Sequence, residues 1–205
     1  MNQCPHNLDL FQWFFGLPRR LKAFAYLGKW HDITVEDDVS VLMELENGAP
    51  AAFITTTGDT PGTNRLEITG NNGKLVLENG KLTFFEPEAP VQKILEESQQ
   101  HFYSVKSKVI EIEVESKDHG HKYITQNAIN AILENQELIV PGTDGLKSVQ
   151  LANAMLLSGL RDKTVEVPVC EDEFDQLLEE LREHERKHSP DKAFDWDAYL
   201  NRLKD

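Results

Sequence analysis

Basic clusters, long apolar runs and a cysteine framework are all missing from this 205-residue chain. The formal net charge is −14, and the densest cationic grouping is Arg19, Arg20 and Lys22. Nucleic acids and anionic membranes bind through basic patches that neutralise phosphate, so neither is an expected partner. The acidity reads as a solvated surface. No apolar stretch reaches the ~18–20 residues of a membrane span. The two cysteines, Cys4 and Cys170, lie far apart and form no disulfide framework, which points to a reducing, cytoplasmic compartment. The opening "MNQCPHNLDLFQWFFGLP" lacks the charged lead of a signal peptide, and His6 and Asp9 interrupt its apolar part.

Several chemical signatures are missing too. No glycine-rich turn joins a parallel strand to a helix, so there is no dinucleotide-binding fingerprint. There is no phosphate-binding loop, no G-x-S-x-G elbow and no paired Cys-x-x-Cys motif. From motifs alone the chain is not a self-sufficient enzyme.

What is present suits an ordinary folded domain: 40% apolar and 27% charged residues. The spacing predicts a helix over 5–16, with Pro5 at a first helical position, Gly16 as terminator and Pro18 beyond it. Period-two patterning follows in "VSVLMELENG" (where Leu42 interrupts the alternation), "NRLEITG", "GKLVLENG", "GKLTFFE" and "KVIEIEVE". Asn47-Gly48, Asn72-Gly73 and Asn79-Gly80 supply turns between them. Helices are expected again in "HKYITQNAINAILENQ", with Ile124, Ala128, Ile129 and Ile132 on one side, and in "TDGLKSVQLANAMLLSGL". In the latter, Thr143 or Asp144 would be the N-cap and Gly159 would lie near the end. A brief strand "TVEVP" precedes the acidic-first, basic-last helix "EDEFDQLLEELREHERKH", and the tail carries Phe194, Trp196, Tyr199 and Leu200. These elements predict one α+β domain over 1–205, with the helix 5–16, a sheet and helices over 20–170, and a C-terminal helix and tail over 171–205. Its sheet would be largely antiparallel and open-faced, with helices packed on one face. The uncovered face would assemble a homodimer or tetramer.

Helical spacing puts His6, Asp9 and Trp13 on one face of the first helix, with Asn2 four positions before His6. An imidazole backed by an amide or acid suits alcohol oxidation, because a proton must leave the hydroxyl as hydride leaves carbon. The alternative is a half-buried histidine packed on Trp13. Cys4-x-His6 and His119-x-His121 have no companion pairs at zinc spacing, so no metal is expected. Cys170 has no base nearby in sequence. The loops "GKWHDITVEDD" and "TTTGDTPGTNR" bring Trp30 and His31, and Thr63, Asn64 and Arg65, whose imidazole, hydroxyl and amide groups suit a polyhydroxylated ligand. The alternative is that they are turn formers only.

In order along the chain, "NQCPHNLDLFQWFFGLP", "VEDDV", "NRLEITGNNGKL" and "DGLKSVQLANAMLLSGLRDKTVEVP" resemble the second half of the Gfo/Idh/MocA oxidoreductases. The resemblance implies a dihydrodipicolinate-reductase-like α+β domain that shapes a substrate site, with NAD or NADP held by an N-terminal Rossmann domain. That domain and the family's E-K-P segment, whose lysine partners the histidine, do not occur in this sequence. The family's D-x-x-x-H motif falls on Asn2 and His6, so an amide stands where the family has an acid. Asn2 can hydrogen-bond but cannot accept a proton. His6 and Asn2 are thus the implied catalytic pair, with Asp9 orienting or bracing the helix. Thr63 and Asn64 are implied substrate contacts, to which the loop chemistry adds His31. The implied function is the substrate-binding and oligomerisation domain of an NAD(P)-dependent oxidoreductase acting on a sugar, cyclitol or related polyol. Alone, the chain would be inactive and bind no cofactor. The alternative is a standalone, non-catalytic oligomeric scaffold or sugar-binding module from a truncated gene.

Overall fold

A computed structural model describes residues 4–98, 104–114 and 120–188. Along the chain run α1 (Pro5–Phe15), β1 (Arg20–Leu27), β2 (Glu36–Glu44), β3 (Pro50–Thr56), β4 (Arg65–Gly70), β5 (Gly73–Glu78), β6 (Lys81–Pro87), α2 (Val91–Glu97), β7 (Ser107–Ile112), α3 (Gly120–Glu134), α4 (Gly145–Arg161), β8 (Val165–Glu166) and α5 (Glu171–His188). The α+β architecture is present, with its antiparallel strands divided between two four-stranded sheets. Two compact units result, one within Met1–Gly58 and Leu138–Asp205, the other within Asp59–Glu137.

In the first unit the strand order is β3-β2-β1-β8. The alternation in β2 sends Val39, Val41 and Met43 inward, opposite Ala25, Ala23 and Leu21 of β1. Against that face lie Leu151, Ala154, Met155 and Leu157 of α4, Leu8 and Phe11 of α1, and Leu177 of α5. Each large side chain withdrawn from water here contributes about 1.5–3 kcal/mol. Leu42 does not break the strand; it points to the opposite, exposed face with Phe24 and Ile54.

Helix α4 lies close on β1. A Cβ on Gly159 would sit 2.5 Å from the Ala25 Cβ and 2.7 Å from its backbone nitrogen. Gly159 is therefore an interior contact residue, and the helix stops at Asp162 in the left-handed region. Asp144 is the N-cap residue of α4, but its side chain makes no capping hydrogen bond; a 3₁₀ turn over Gly142–Asp144 leads into the helix. Strand β8 pairs only with Arg20 and Leu21. Just beyond, the buried Ser158 hydroxyl accepts the Ala23 N–H at 2.9 Å and donates to the Lys163 carbonyl at 2.6 Å. Helix α5 is fastened by Arg161 to Glu180 at 2.7 Å and by Lys163 to Glu173.

In the second unit β4-β5-β6-β7 form an antiparallel meander. Arg65 reaches Glu78 at 2.7 Å and Glu67 at 2.6 Å, and Lys74 reaches Glu67 at 3.1 Å. Helix α2 has its first amides held by Asn71, whose carbonyl takes the Val91 N–H and whose side chain takes the Gln92 N–H. The apolar side expected of α3 is formed, but none of its residues is buried; Ile124, Ile129 and Ile132 stay exposed.

Candidate functional site

Helix α1 owes its bounds to Pro5, which fits a first helical position, and to Gly16, whose positive φ lets its N–H return to the Gln12 carbonyl. Leu8 and Phe11 anchor one side in the core, which turns His6, Asp9 and Trp13 outward. His6 is exposed rather than half buried, and it makes no hydrogen bond or ion pair among the described residues. Asp9 does not contact it through a hydrogen bond. Its Oδ1 accepts from Gln12 Nε2 at 2.9 Å and from Ser148 Oγ at 3.2 Å, tying α1 to α4. Asn2 and His119 lie outside the described residues, as do Phe194, Trp196, Tyr199 and Leu200 of the tail. Cys4 is buried while His6, two residues on, is exposed. Among the described residues no group of three or more His, Cys, Asp or Glu could hold a metal ion.

His31 sits in the loop between β1 and β2, and this loop is built around two carboxylates. Asp37, its side chain fully buried, accepts the backbone N–H of Lys29 at 2.8 Å, of Trp30 at 2.7 Å and of His31 at 3.0 Å. The His31 ring Nδ1 lies 3.2 Å from the same carboxylate. Burial alone would raise the Asp37 pKa, but the Trp30, Lys29 and His31 hydrogen bonds outweigh it and bring it from 3.8 to about 2. Asp38 accepts Trp30 Nε1 at 2.9 Å and Lys29 Nζ at 3.0 Å. Burial also opposes its ionisation, and those two bonds with one from Thr56 lower its pKa overall. Lys29 Nζ stands 4.6 Å from the Tyr26 ring centre and 5.0 Å from that of Trp30. Thr57 Oγ1 lies 3.1 Å from His31 Nδ1 and donates to the Asp37 carbonyl at 3.3 Å.

Thr63 and Asn64 are exposed in the loop before β4, within the second unit. An open pocket of about 460 Å³ in that unit is lined by Glu86, Pro87, Glu88, Lys106, Ser107 and Lys108 and contains none of the expected site residues.

A family model described as "Oxidoreductase family, C-terminal alpha/beta domain" matches residues 1–167. The chain belongs to this oxidoreductase family. No curated protein sequence matches it. Solved structures share its fold. The WlbA dehydrogenase of Chromobacterium violaceum, in complex with NADH and UDP-GlcNAcA, is 21% identical with a TM-score of 0.60, over 83% of this chain and 46% of that one. An Agrobacterium radiobacter oxidoreductase in complex with NAD⁺, L-tartaric acid and magnesium is 18% identical with a TM-score of 0.54, over 79% and 47%. The aldose-aldose oxidoreductase of Caulobacter crescentus, complexed with glycerol, is 17% identical with a TM-score of 0.57, over 80% and 45%. The chain thus spans less than half the length of each of these structures.

The described residues of this C-terminal oxidoreductase domain hold no glycine-rich turn between parallel strands of the kind that cradles a dinucleotide's phosphates. All its strand pairs are antiparallel, and its strand-to-helix connections at 88–90 and 167–170 contain no glycine. The parallel-strand phosphate cradle has no counterpart here. Among the described residues no helix is long and apolar enough to cross a membrane. Sequence reasoning named His31 but missed Asp37 and Thr57, which contact it, Asp38, which holds Trp30 and Lys29, and Ser148, which holds Asp9. The available signal was the Asp-Asp pair at the start of the alternating strand, six and seven residues after His31.

Proposed function

We propose that this chain is the substrate-binding and oligomerisation domain of an NAD(P)-dependent oxidoreductase that acts on a sugar, cyclitol or related polyol. The observation that carries this reading is the family match over residues 1–167 together with the outward, exposed His6 on a firmly anchored helix. A ring nitrogen open to solvent can take a proton from a substrate hydroxyl, the half of an alcohol oxidation that a histidine supplies. Asn2, four positions before His6 in sequence, is the candidate for orienting the hydroxyl without exchanging its own proton. Oxidation also needs a hydride acceptor, and that role is not assigned to any described residue. The exposed outer face of β1–β3, with Phe24, Leu42 and Ile54, is the surface through which copies would associate. That face alone also supports the second reading, an oligomeric module without catalysis.

The decisive experiment is a turnover screen of a protein that carries this domain together with a nucleotide-binding half. It uses a polyol panel with both nicotinamide cofactors. His6→Ala should lower kcat by roughly 10²–10⁴. Unchanged turnover in that variant would remove His6 from the chemistry, and no turnover in the parent would favour the non-catalytic module.

A further inference from the structure

The loop from Gly28 to Val35 is held more tightly than a connector requires, and what it holds is an aromatic face beside an oriented imidazole. Three consecutive backbone amides and a ring nitrogen converge on Asp37. An ionised carboxylate only accepts, so in the neutral ring the proton sits on Nδ1 and Nε2 is left as an acceptor. The His31 side chain is 48% exposed, and Nε2 makes no hydrogen bond among the described residues. Trp30 is fixed at its Nε1 by Asp38 and packed against Gly58. A Cβ on Gly58 would come within 2.5–2.7 Å of the indole Cδ2, Cγ and Cδ1, so only glycine fits there. Even so, 53% of Trp30 remains exposed. Large aromatic side chains normally bury their area, and this one is braced in the open.

We propose that this loop docks a pyranose ring. Trp30 is the platform for the C–H face of the sugar, and His31 Nε2 is the acceptor for an adjacent ring hydroxyl. Asp37 is the positioning residue that sets both. The chemistry selects a neutral, hydroxyl-bearing ring. Nε2 in this tautomer offers no proton to a phosphate or carboxylate, and Asp37 and Asp38 repel anions, Lys29 being paired with Asp38. A flat indole favours a cyclic ligand with a contiguous C–H face over an open-chain polyol. The proposal deepens the sugar reading above, but it uses neither His6 nor a nicotinamide.

The test is an NMR titration of the full chain with methyl β-D-glucopyranoside, with sorbitol as the open-chain comparison. Saturable shifts of the Trp30 indole N–H and the His31 ring are expected, with a dissociation constant on the order of millimolar. Trp30→Ala, followed at the His31 ring, should abolish binding. His31→Asn, followed at the Trp30 indole N–H, retains an amide donor toward Asp37 but lacks Nε2, and it should weaken binding about fivefold. The Lys29 backbone amide reports whether the loop stays folded in each variant. The proposal fails if the pyranoside moves neither signal, if both variants bind like the parent, or if sorbitol binds as well. Such a failure would leave the His6 assignment intact, and loss of the His6 assignment would leave this binding in place.

Discussion

Ser148 donates its hydroxyl hydrogen to Asp9 across 3.2 Å, joining α4 to the helix that carries His6 one turn earlier. Removing the acceptor with Asp9→Ala should lower the unfolding free energy by about 1 kcal/mol. His6→Ala, at an exposed position, should change it by less than about 0.5 kcal/mol. Urea denaturation measures both. If the His6 variant instead proves the more damaging of the two, the imidazole is a packing group and its proposed chemistry is lost.

A second dependence runs through Ser158, which completes the edge of β1 where β8 ends. In Ser158→Ala the buried Ala23 N–H loses its acceptor, and the Lys163 carbonyl, in a partly buried bond, loses its donor. The expected loss is about 1–3 kcal/mol, with faster hydrogen exchange at the Ala23 amide. Unchanged exchange there would show that the hydroxyl is dispensable.

Asp37 makes the β1–β2 loop acid-sensitive in a defined window. Its folded-state pKa, about 2, lies below the ordinary 3.8. Its contribution to stability is therefore complete above the ordinary value and disappears as pH falls toward about 2. The Lys29 and Trp30 backbone amides, which Asp37 accepts, should change environment over that interval. Asp37→Asn should show the altered environment already at neutral pH and a flat response in acid. A parent and variant that titrate alike would contradict the assignment of the loop to this carboxylate.

Much of this fold is readable from residue pattern, because the deciding interactions are local. Pro5 and Gly16 bound α1, and the charge order of α5 marks its two ends. Alternation marks β2, and Leu42, which looks like an error in the pattern, is a correctly phased residue on the outer face. What the pattern does not show has a different cause. Gly159 lies near the end of α4 as its spacing suggests, but what demands a glycine there is Ala25, far away in sequence. Helix α2 begins on Asn71, before two intervening strands, so nothing adjacent announces it. The same limit governs the site. Spacing nominates His6, yet the partner of Asp9 is 139 positions away. Loop composition nominates His31, but three of the bonds that fix its loop come from backbone amides, which every sequence carries.

The outer face of β1–β3 yields a prediction about assembly. Phe24, Ser40 and Ile54 stand opposite one another across the three strands, and Leu42 stands between Lys22 and Ala52 in the next row. Ile54 is 73% exposed and lies on β3, an edge strand. Exposed apolar side chains beside a strand edge that has no partner among the described residues invite association with another copy. The chain should therefore sediment as a dimer or tetramer at concentrations on the order of tens of micromolar. Ile54→Lys should shift it to monomer, because a charge would have to be buried at the interface. As an exposed substitution it should alter the intrinsic stability of the monomer by no more than about 0.5 kcal/mol. Sedimentation velocity on both proteins separates the cases: a parent that is already monomeric, or a variant that associates as before, would mean that this face is not where copies meet.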